Sequence, residues 1–109
     1  MQTTIAVHCT RRPRTSLRDA IVSDDRLADY RLRVLSQQKP GRNPGWAKLS
    51  STQPDVLGVI NIEWDPAARM LVARAVTRDT RPPAPLIGHF IEYLLARYPR
   101  RIRSIVTSP

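Results

Sequence analysis

The side chains best suited to acid–base or metal chemistry are a histidine and a glutamate three residues apart. His89 and Glu92 lie in a segment with helical periodicity, where residues at i and i+3 are neighbours on the helix surface. Such a pair could bind a metal ion or transfer a proton. A metal site needs a further ligand, and no third His, Asp or Cys follows at a convincing spacing. The sequence therefore predicts no metal, no cofactor and no catalytic residue.

Arginine is the other residue type suited to a chemical role, because its guanidinium group binds phosphate oxygens in a bidentate geometry. The chain holds 18 Lys and Arg against 9 Asp and Glu, for a net charge of +9, and its pI is about 11.2. A pI above ~9 is typical of nucleic-acid-binding domains. Sixteen of the 18 bases are Arg. A GC-rich genome also raises the Arg content, so composition alone does not decide the function.

The positive charge lies mainly in two parts of the chain. Residues 30–57 contain five bases and one acid, for a net charge of +4, and residues 80–109 have the same balance. Residues 58–79 contain three bases and three acids, and residues 1–29 contain five bases and four acids. Phosphate binding is therefore expected on either side of a neutral middle region.

The first basic part is centred on a loop with the sequence KPGRNPGWAK, residues 39–48. Arg42, Lys48 and the aromatic Trp46 in such a loop can follow a phosphate backbone and stack on a base. The same pattern fits a plain hairpin loop in which Trp46 covers the edge of the core. Nearby, Arg31 and Arg33 are predicted to share the outer face of a sheet with Arg74, where they would bind phosphates, contact solvent or be covered by a partner chain.

The second basic part follows the C-terminal end of a predicted helix. Arg97, Arg100, Arg101 and Arg103 lie within seven residues. Cations at this position stabilise the helix dipole, but four of them exceed what capping needs. The sequence therefore predicts phosphate contacts from Arg100, Arg101 and Arg103, with helix capping as the alternative.

A β-hairpin is the clearest structural signal in the chain. Residues 58–64 and 70–78 are β-rich runs joined by Asp-Pro-Ala-Ala-Arg, which is good turn chemistry. A four-residue loop pairs Asp65 with Met70. This register puts the most apolar residues on one face, namely Ile60, Ile62, Trp64, Leu71, Ala73 and Ala75. A slip by one residue would mix the two faces, so the hydrophobic pattern selects the register.

The remaining elements follow from periodicity and from proline positions. Residues 30–38 alternate like a strand, with a helix as the alternative, and residues 46–51 form a second short strand. An apolar stripe predicts a helix over about 85–98 that ends before Pro99. It should bury Leu86, Phe90, Ile91, Leu94 and Leu95, and should leave His89, Glu92 and Arg97 exposed. A last short strand begins near Ile102, and residues 1–29 remain poorly determined.

These elements predict an α+β fold. A roughly four-stranded antiparallel sheet packs one face on the C-terminal helix as a two-layer sandwich, in a single domain over residues 30–109. The lone cysteine, Cys9, excludes an internal disulfide and predicts a cytoplasmic location. The longest largely apolar run without a charge is residues 86–91, far short of the ~20 residues that a membrane span needs, so no membrane partner is expected.

Three functions of different kinds are compatible with these patterns. The first is a small non-catalytic domain that binds nucleic acid, DNA or RNA, through Arg–phosphate contacts. The second is a protein-interaction or accessory subunit, such as a homodimer, whose outer sheet face is covered by another chain; the outward Val59, Val72 and Val76 favour it. The third is a small nuclease that uses His89 and Glu92. The predicted nucleic-acid-binding residues are Arg31, Arg33, Arg42, Trp46, Lys48, Arg74, Arg100, Arg101 and Arg103.

Overall fold

Six antiparallel strands form one sheet, in the spatial order 32–36, 46–51, 59–65, 70–76, 2–9 and 102–108. The computed structural model describes residues 1–11, 15–78, 80–81 and 83–109. Its elements are β1 (Gln2–Cys9), α1 (Leu17–Val22), a 3-10 turn (Leu27–Tyr30), β2 (Leu32–Ser36), β3 (Trp46–Ser51), β4 (Val59–Asp65), β5 (Met70–Val76), α2 (Ala84–Arg97) and β6 (Ile102–Ser108). The fold is α+β, as the sequence predicts, with six strands where about four were expected.

The β4-β5 hairpin has the predicted register. Asp65 pairs with Met70, and Ile62 pairs with Ala73. The Asp65 carboxylate accepts hydrogen bonds from the backbone N–H groups of Ala67 and Ala68, both at 3.1 Å. The aspartate before the proline therefore closes the turn through its side chain, which is the reason for its frequent use in turns.

The sheet contains the four predicted strands, the predicted last short strand and one additional strand from the N-terminal segment. β1 lies between β5 and β6 and pairs with both. It alternates the fully buried Ile5 and Val7 with the outward Ala6 and His8. Residues 1–29, which periodicity left undetermined, thus contribute an interior strand, α1 and the 3-10 turn.

One face of the sheet is covered by the two helices. The predicted inward residues of the hairpin are all buried, and they pack with Leu17 and Ile21 of α1 and with Leu86 and Phe90 of α2. Within the described ranges, neither helix is long and apolar enough to cross a membrane.

The buried side of α2 differs from the predicted stripe. Tyr93 is fully buried, whereas Leu95 is 52 % exposed and Ile91 is half-buried. The prediction that Leu95 is buried is therefore wrong. Tyr93 can be buried because its hydroxyl donates to the Asp24 carboxylate in the segment after α1, since buried tyrosines generally require a polar partner.

The opposite face of the sheet remains open, since no helix of the described chain covers it. Alternating strand residues point to this side and are exposed or half-buried, among them Asn61, Arg74 and Val72. We call this surface the open face. The fold thus buries one face for stability and presents the other to solvent.

Candidate nucleic-acid interface

A row of polar residues crosses all six strands on the open face. Residues that are directly paired in neighbouring strands lie on the same side of a sheet. The pairings place Ser36, Lys48, Asn61, Arg74, Thr4 and Ser108 side by side, in that order. Lys48 and Arg74 are two strand spacings apart, or about 10 Å. We call this line the polar row; it brings together two of the predicted phosphate-binding residues.

A mixed row runs beside the polar row. It contains Trp46, Glu63, Val72, Ala6 and Val106, again in direct register. One end is aromatic and charged, and the other end is aliphatic, with Val106 54 % exposed. The open face is therefore cationic along one line and partly apolar along the next.

Trp46 lies where the open face meets the loop between β2 and β3, which we call the basic loop. Its indole Nε1 donates a hydrogen bond to Asn61 Oδ1 at 3.2 Å. The guanidinium carbon of Arg42 lies 5.5 Å from the ring centroid, and Lys48 Nζ lies 6.0 Å from it. Only 2 % of the residue is exposed. A base could therefore stack on this ring only after Arg42 and Lys48 move away.

The loop between β2 and β3 has a defined backbone. Pro40 and Gly41 occupy the centre of a turn in which the Arg42 N–H donates to the Lys39 carbonyl at 3.0 Å, and Gly41 has φ of +79°. Proline followed by a positive-φ glycine is the pattern of a type II turn. Further along, the Asn43 side chain accepts a hydrogen bond from the Gly45 N–H at 2.8 Å. The turn chemistry of the loop sets the direction in which the chain passes through Arg42.

The two arginines predicted on the outer face of β2 have different positions. Arg33 lies opposite Ser50 and donates to the Ser50 hydroxyl at 3.1 Å, so it belongs to the open face. Arg31 precedes the strand and ends the 3-10 turn with φ of +64°. Its prediction as a strand residue is therefore wrong, because β2 begins only at Leu32.

The cations of the open face have no carboxylate partner among the residues that the structure describes. Across the parts of the chain that the structure describes, no Asp or Glu oxygen lies within 4.0 Å of Arg42, Lys48 or Arg74. One depression is lined by both Asn43 of the loop and Arg74 of β5, so the loop and the polar row border the same surface. We use the term open-face cations for Arg33, Arg42, Lys48 and Arg74.

The C-terminal arginines have a different environment, and Arg97 shows it best. Its Nε lies 3.1 Å from Asp24 Oδ2, and Nη2 donates to Asp24 Oδ1 at 3.3 Å. The Asp24 side chain is only 4 % exposed. It also accepts hydrogen bonds from the hydroxyls of Tyr93 at 2.8 Å and Tyr98 at 3.1 Å. Arg97 is therefore part of a network that joins α2 to the segment after α1.

The network fixes the ionisation of its members. Burial alone would raise the pKa of Asp24, but hydrogen bonds from Arg97, from the Arg26 N–H and from the two tyrosine hydroxyls outweigh it and lower that pKa to about 2. Burial and the hydrogen bonds to Tyr98 and Asp24 raise the pKa of Tyr93 well above its usual range. Asp24 is therefore a carboxylate at any physiological pH, and the group is saturated with donors.

The other three C-terminal arginines have two kinds of surroundings. Arg101 donates from Nη2 to the Thr15 carbonyl, and its guanidinium carbon lies 6.0 Å from the Tyr98 ring centroid. Arg100 and Arg103 are exposed. The strand directions place the turn at residues 99–101 and the β2-β3 loop at the same end of the sheet, at opposite edges. Two of the three predicted contacts therefore remain open to a ligand at that end.

The residues with acid–base potential are not brought together. His89 is half-buried rather than exposed as predicted, and its Nδ1 is buried without a hydrogen-bond partner among the described atoms, whereas Glu92 is exposed. Within the described ranges, no three His, Cys, Asp or Glu side chains are placed to bind a metal ion. Cys9 is buried, and burial raises the pKa of its thiol above the usual value despite the nearby Arg101 and Arg69.

Sequence reasoning missed Arg18, which lies beneath the basic loop. This residue of α1 is 8 % exposed and donates to the Trp46 carbonyl from Nε at 3.1 Å and from Nη2 at 2.9 Å. It also donates to the Gln37 carbonyl at 2.5 Å and to the Asp19 carboxylate at 2.8 Å. An isolated arginine in a short helix carries no sequence signal for such a role, because its acceptors lie 19 and 28 residues away.

Comparison with known proteins gives no relative from which a function could be transferred. No protein-family model, no curated protein and no solved structure matches the chain. The function is therefore argued from the geometry and charge of the open face.

Proposed function

We propose that this chain is a non-catalytic domain that binds nucleic acid through the open face and the adjoining loop. The observation that carries the proposal is the set of cations there that have no carboxylate partner among the described residues, in a chain of net charge +9. When unpaired, solvent-facing guanidinium and ammonium groups bind phosphates, the counterions condensed on the nucleic acid are released. This release is the main source of non-specific affinity for nucleic acid.

The polar row gives the contacts a direction. Lys48 and Arg74 lie about 10 Å apart across the sheet, with the amide of Asn61 between them. The hydroxyl groups of Thr4 and Ser108 continue the line to the far edge. Lysine, arginine, amide and hydroxyl groups are the side chains that commonly contact phosphate and sugar oxygens. A sugar–phosphate backbone crossing the strands would therefore meet polar partners along its whole path.

Trp46 supports this surface from below. Its ring is covered by Arg42 and Lys48, and its indole N–H is satisfied by Asn61. The ring quadrupole attracts both cations and holds them on the open face. In this proposal Trp46 positions phosphate-binding groups, in place of the base stacking that the loop sequence predicts.

The exposed Arg100 and Arg103 extend the same proposal to the other edge of the sheet. They lie at the end of the sheet that also carries the β2-β3 loop. Arg101 contributes less, because its guanidinium already donates to the Thr15 carbonyl. The contacts are to phosphates, so the proposed binding has little base preference and does not distinguish DNA from RNA.

The proposal is tested by fluorescence anisotropy with a labelled 20-nucleotide single strand of mixed sequence at low salt. We expect the wild-type chain to bind it, and the triple variant Arg42→Ala, Lys48→Ala, Arg74→Ala to bind far more weakly. The matched control is Arg11→Ala, Arg26→Ala, Arg81→Ala, which removes the same number of charges from exposed residues outside the proposed surface. Equal losses in the two variants would mean that only net charge matters, and no wild-type binding would refute the proposal.

A second candidate function rests on the apolar part of the open face. Val72, Ala6 and Val106 form an aliphatic strip beside the polar row, and Val106 is 54 % exposed. Such a strip suits a protein partner or a second copy of the chain. Sedimentation across a range of concentrations tests the homodimer, and Val106→Lys should abolish any dimer that uses the strip. The cytoplasmic location, inferred from the lone Cys9, belongs to either candidate.

A further inference from the structure

We infer that Arg18 is a positioning residue for nucleic-acid binding, which it serves by clamping the two ends of the basic loop. The inference rests on the proposed function and names a residue that makes no contact with the ligand. Arg18 reaches the carbonyl of Gln37, where the chain leaves β2, and the carbonyl of Trp46, where β3 begins. One guanidinium group thus closes the loop of residues 38–45.

The geometry of the clamp needs an arginine. Nε and Nη2 both donate to the Trp46 carbonyl, at 3.1 and 2.9 Å, and Nη2 also donates to Gln37. The remaining Nη1 donates to Asp19, which fixes the plane of the group. A guanidinium group offers five donors in a rigid fork, whereas a lysine offers one compact ammonium. Lysine at this position would reach fewer of these acceptors.

The clamp is connected directly to the proposed phosphate-binding groups. Arg18 fixes the backbone of Trp46, and the ring of Trp46 carries Arg42 and Lys48 at 5.5 and 6.0 Å. Without the clamp, the loop would sample conformations in which Arg42 leaves the open face. The apparent affinity then falls by the fraction of molecules that keep the competent loop. This is the physical reason to expect a binding defect from a residue that is itself buried.

The test compares Arg18→Met and Arg18→Lys with Ile21→Ala, a destabilising control on the same helix. Ile21 is fully buried in the core, and its apolar side chain donates no hydrogen bond to the loop carbonyls. Hydrogen exchange of the segment 38–46 measures loop order, with the 65–70 turn as an internal reference. Anisotropy with the same 20-nucleotide strand measures binding. All measurements are made well below the unfolding temperature of the least stable variant.

We expect Arg18→Met to speed exchange in segment 38–46 and to weaken binding roughly tenfold. Arg18→Lys should fall between it and the wild type, and Ile21→Ala should change neither the loop exchange nor the affinity. Unchanged exchange in Arg18→Met would overturn the clamp, and faster exchange with unchanged affinity would overturn its role in binding. Failure of the wild type to bind would instead refute the proposed function, and the exchange data would still report on the clamp.

Discussion

Two groups of basic residues in this chain carry the same kind of charge and differ in their surroundings. Arg42, Lys48 and Arg74 lie on the open face, and no carboxylate of the described chain pairs with them. Arg97, near the C-terminal end, pairs with the buried Asp24 carboxylate, and Arg101 donates to the Thr15 carbonyl. The same residue type therefore serves the fold in one region and remains available to a ligand in the other.

The difference shows what decides the role of a basic side chain. Arg97 ends α2 and Arg101 lies just after it, where segments distant in sequence bring acceptors within reach. Three of the open-face cations lie on the solvent-facing side of β2, β3 and β5, and Arg42 lies in the exposed loop. No carboxylate of the described residues is packed against them, although Arg33 donates to the Ser50 hydroxyl. The number of basic residues therefore overestimates the number that can bind a ligand, because some of them already bind acceptors within the fold.

The largest expected effect is on oligonucleotide affinity, which should depend on the open-face cations and much less on Arg97 and Arg101. Replacing Arg42, Lys48 and Arg74 by Ala should weaken oligonucleotide affinity about 100-fold, or ~2.7 kcal/mol, if each contact contributes about 1 kcal/mol. Stability should fall by about 1–2 kcal/mol, because Arg42 and Lys48 lose their contacts with the Trp46 ring. Arg97→Ala with Arg101→Ala should lower stability but leave the affinity nearly unchanged. Urea unfolding and anisotropy measure the two effects, and a binding loss in the second variant alone would reverse the comparison.

The next effect concerns the carboxylate that holds Arg97. Asp24→Asn should lower stability by about 2 kcal/mol, the free energy that corresponds to a pKa of about 2 in the fold against 3.8 in the unfolded chain. The stabilisation is present above the unfolded pKa and is lost as the pH falls through about 2. Urea unfolding between pH 5 and pH 2 should therefore show a decrease in the wild type that Asp24→Asn lacks. Parallel curves would mean that the network does not depress the pKa.

A smaller effect is expected at the junction of the loop and the open face. Trp46→Phe removes the hydrogen bond to Asn61 and weakens the attraction for Arg42, at a cost of about 1–2 kcal/mol in stability. If Trp46 positions cations, its fluorescence in a Trp64→Phe background should change little on adding oligonucleotide. Strong quenching would instead mean that a base displaces the cations and stacks on the ring, as the loop sequence predicts.

The smallest effect compares neighbours within the C-terminal cluster. Arg101→Ala should destabilise the fold by about 1 kcal/mol, the usual net contribution of one hydrogen bond, here the one to the Thr15 carbonyl. Arg100 is exposed, so Arg100→Ala should leave stability within about 0.5 kcal/mol of the wild type and weaken binding slightly. Thermal unfolding of the two single variants decides the point. Equal stability would show that the Arg101 contact contributes nothing to the fold.

The sequence predicts the local part of the fold well. The β4-β5 register follows from alternation, since only one pairing keeps Ile62 and Ala73 on the buried side. The helix predicted over 85–98 is observed as Ala84–Arg97, because a proline lies near each end. These features depend on residues close together in the chain, so periodicity and turn chemistry are sufficient.

The features that the sequence does not predict depend on distant partners. β1 becomes an interior strand only through pairing with β5 and β6. The burial of Tyr93 in place of Leu95 depends on Asp24, 69 residues away. The clamp by Arg18 likewise depends on two carbonyls across the fold. A single sequence cannot show which polar groups meet in space. The observed candidate site therefore differs from its prediction more than the observed fold does.

The salt dependence of oligonucleotide binding tests the central claim most directly. Each phosphate contact on a single strand contributes about −0.7 to the slope of log K against log salt concentration. The four open-face cations together with Arg100 and Arg103 predict a slope of about −4 for the wild type. The variant that lacks Arg42, Lys48 and Arg74 should have a slope of about −2. A slope near zero, or the same slope in both proteins, would contradict the assignment of the open face as the nucleic-acid interface.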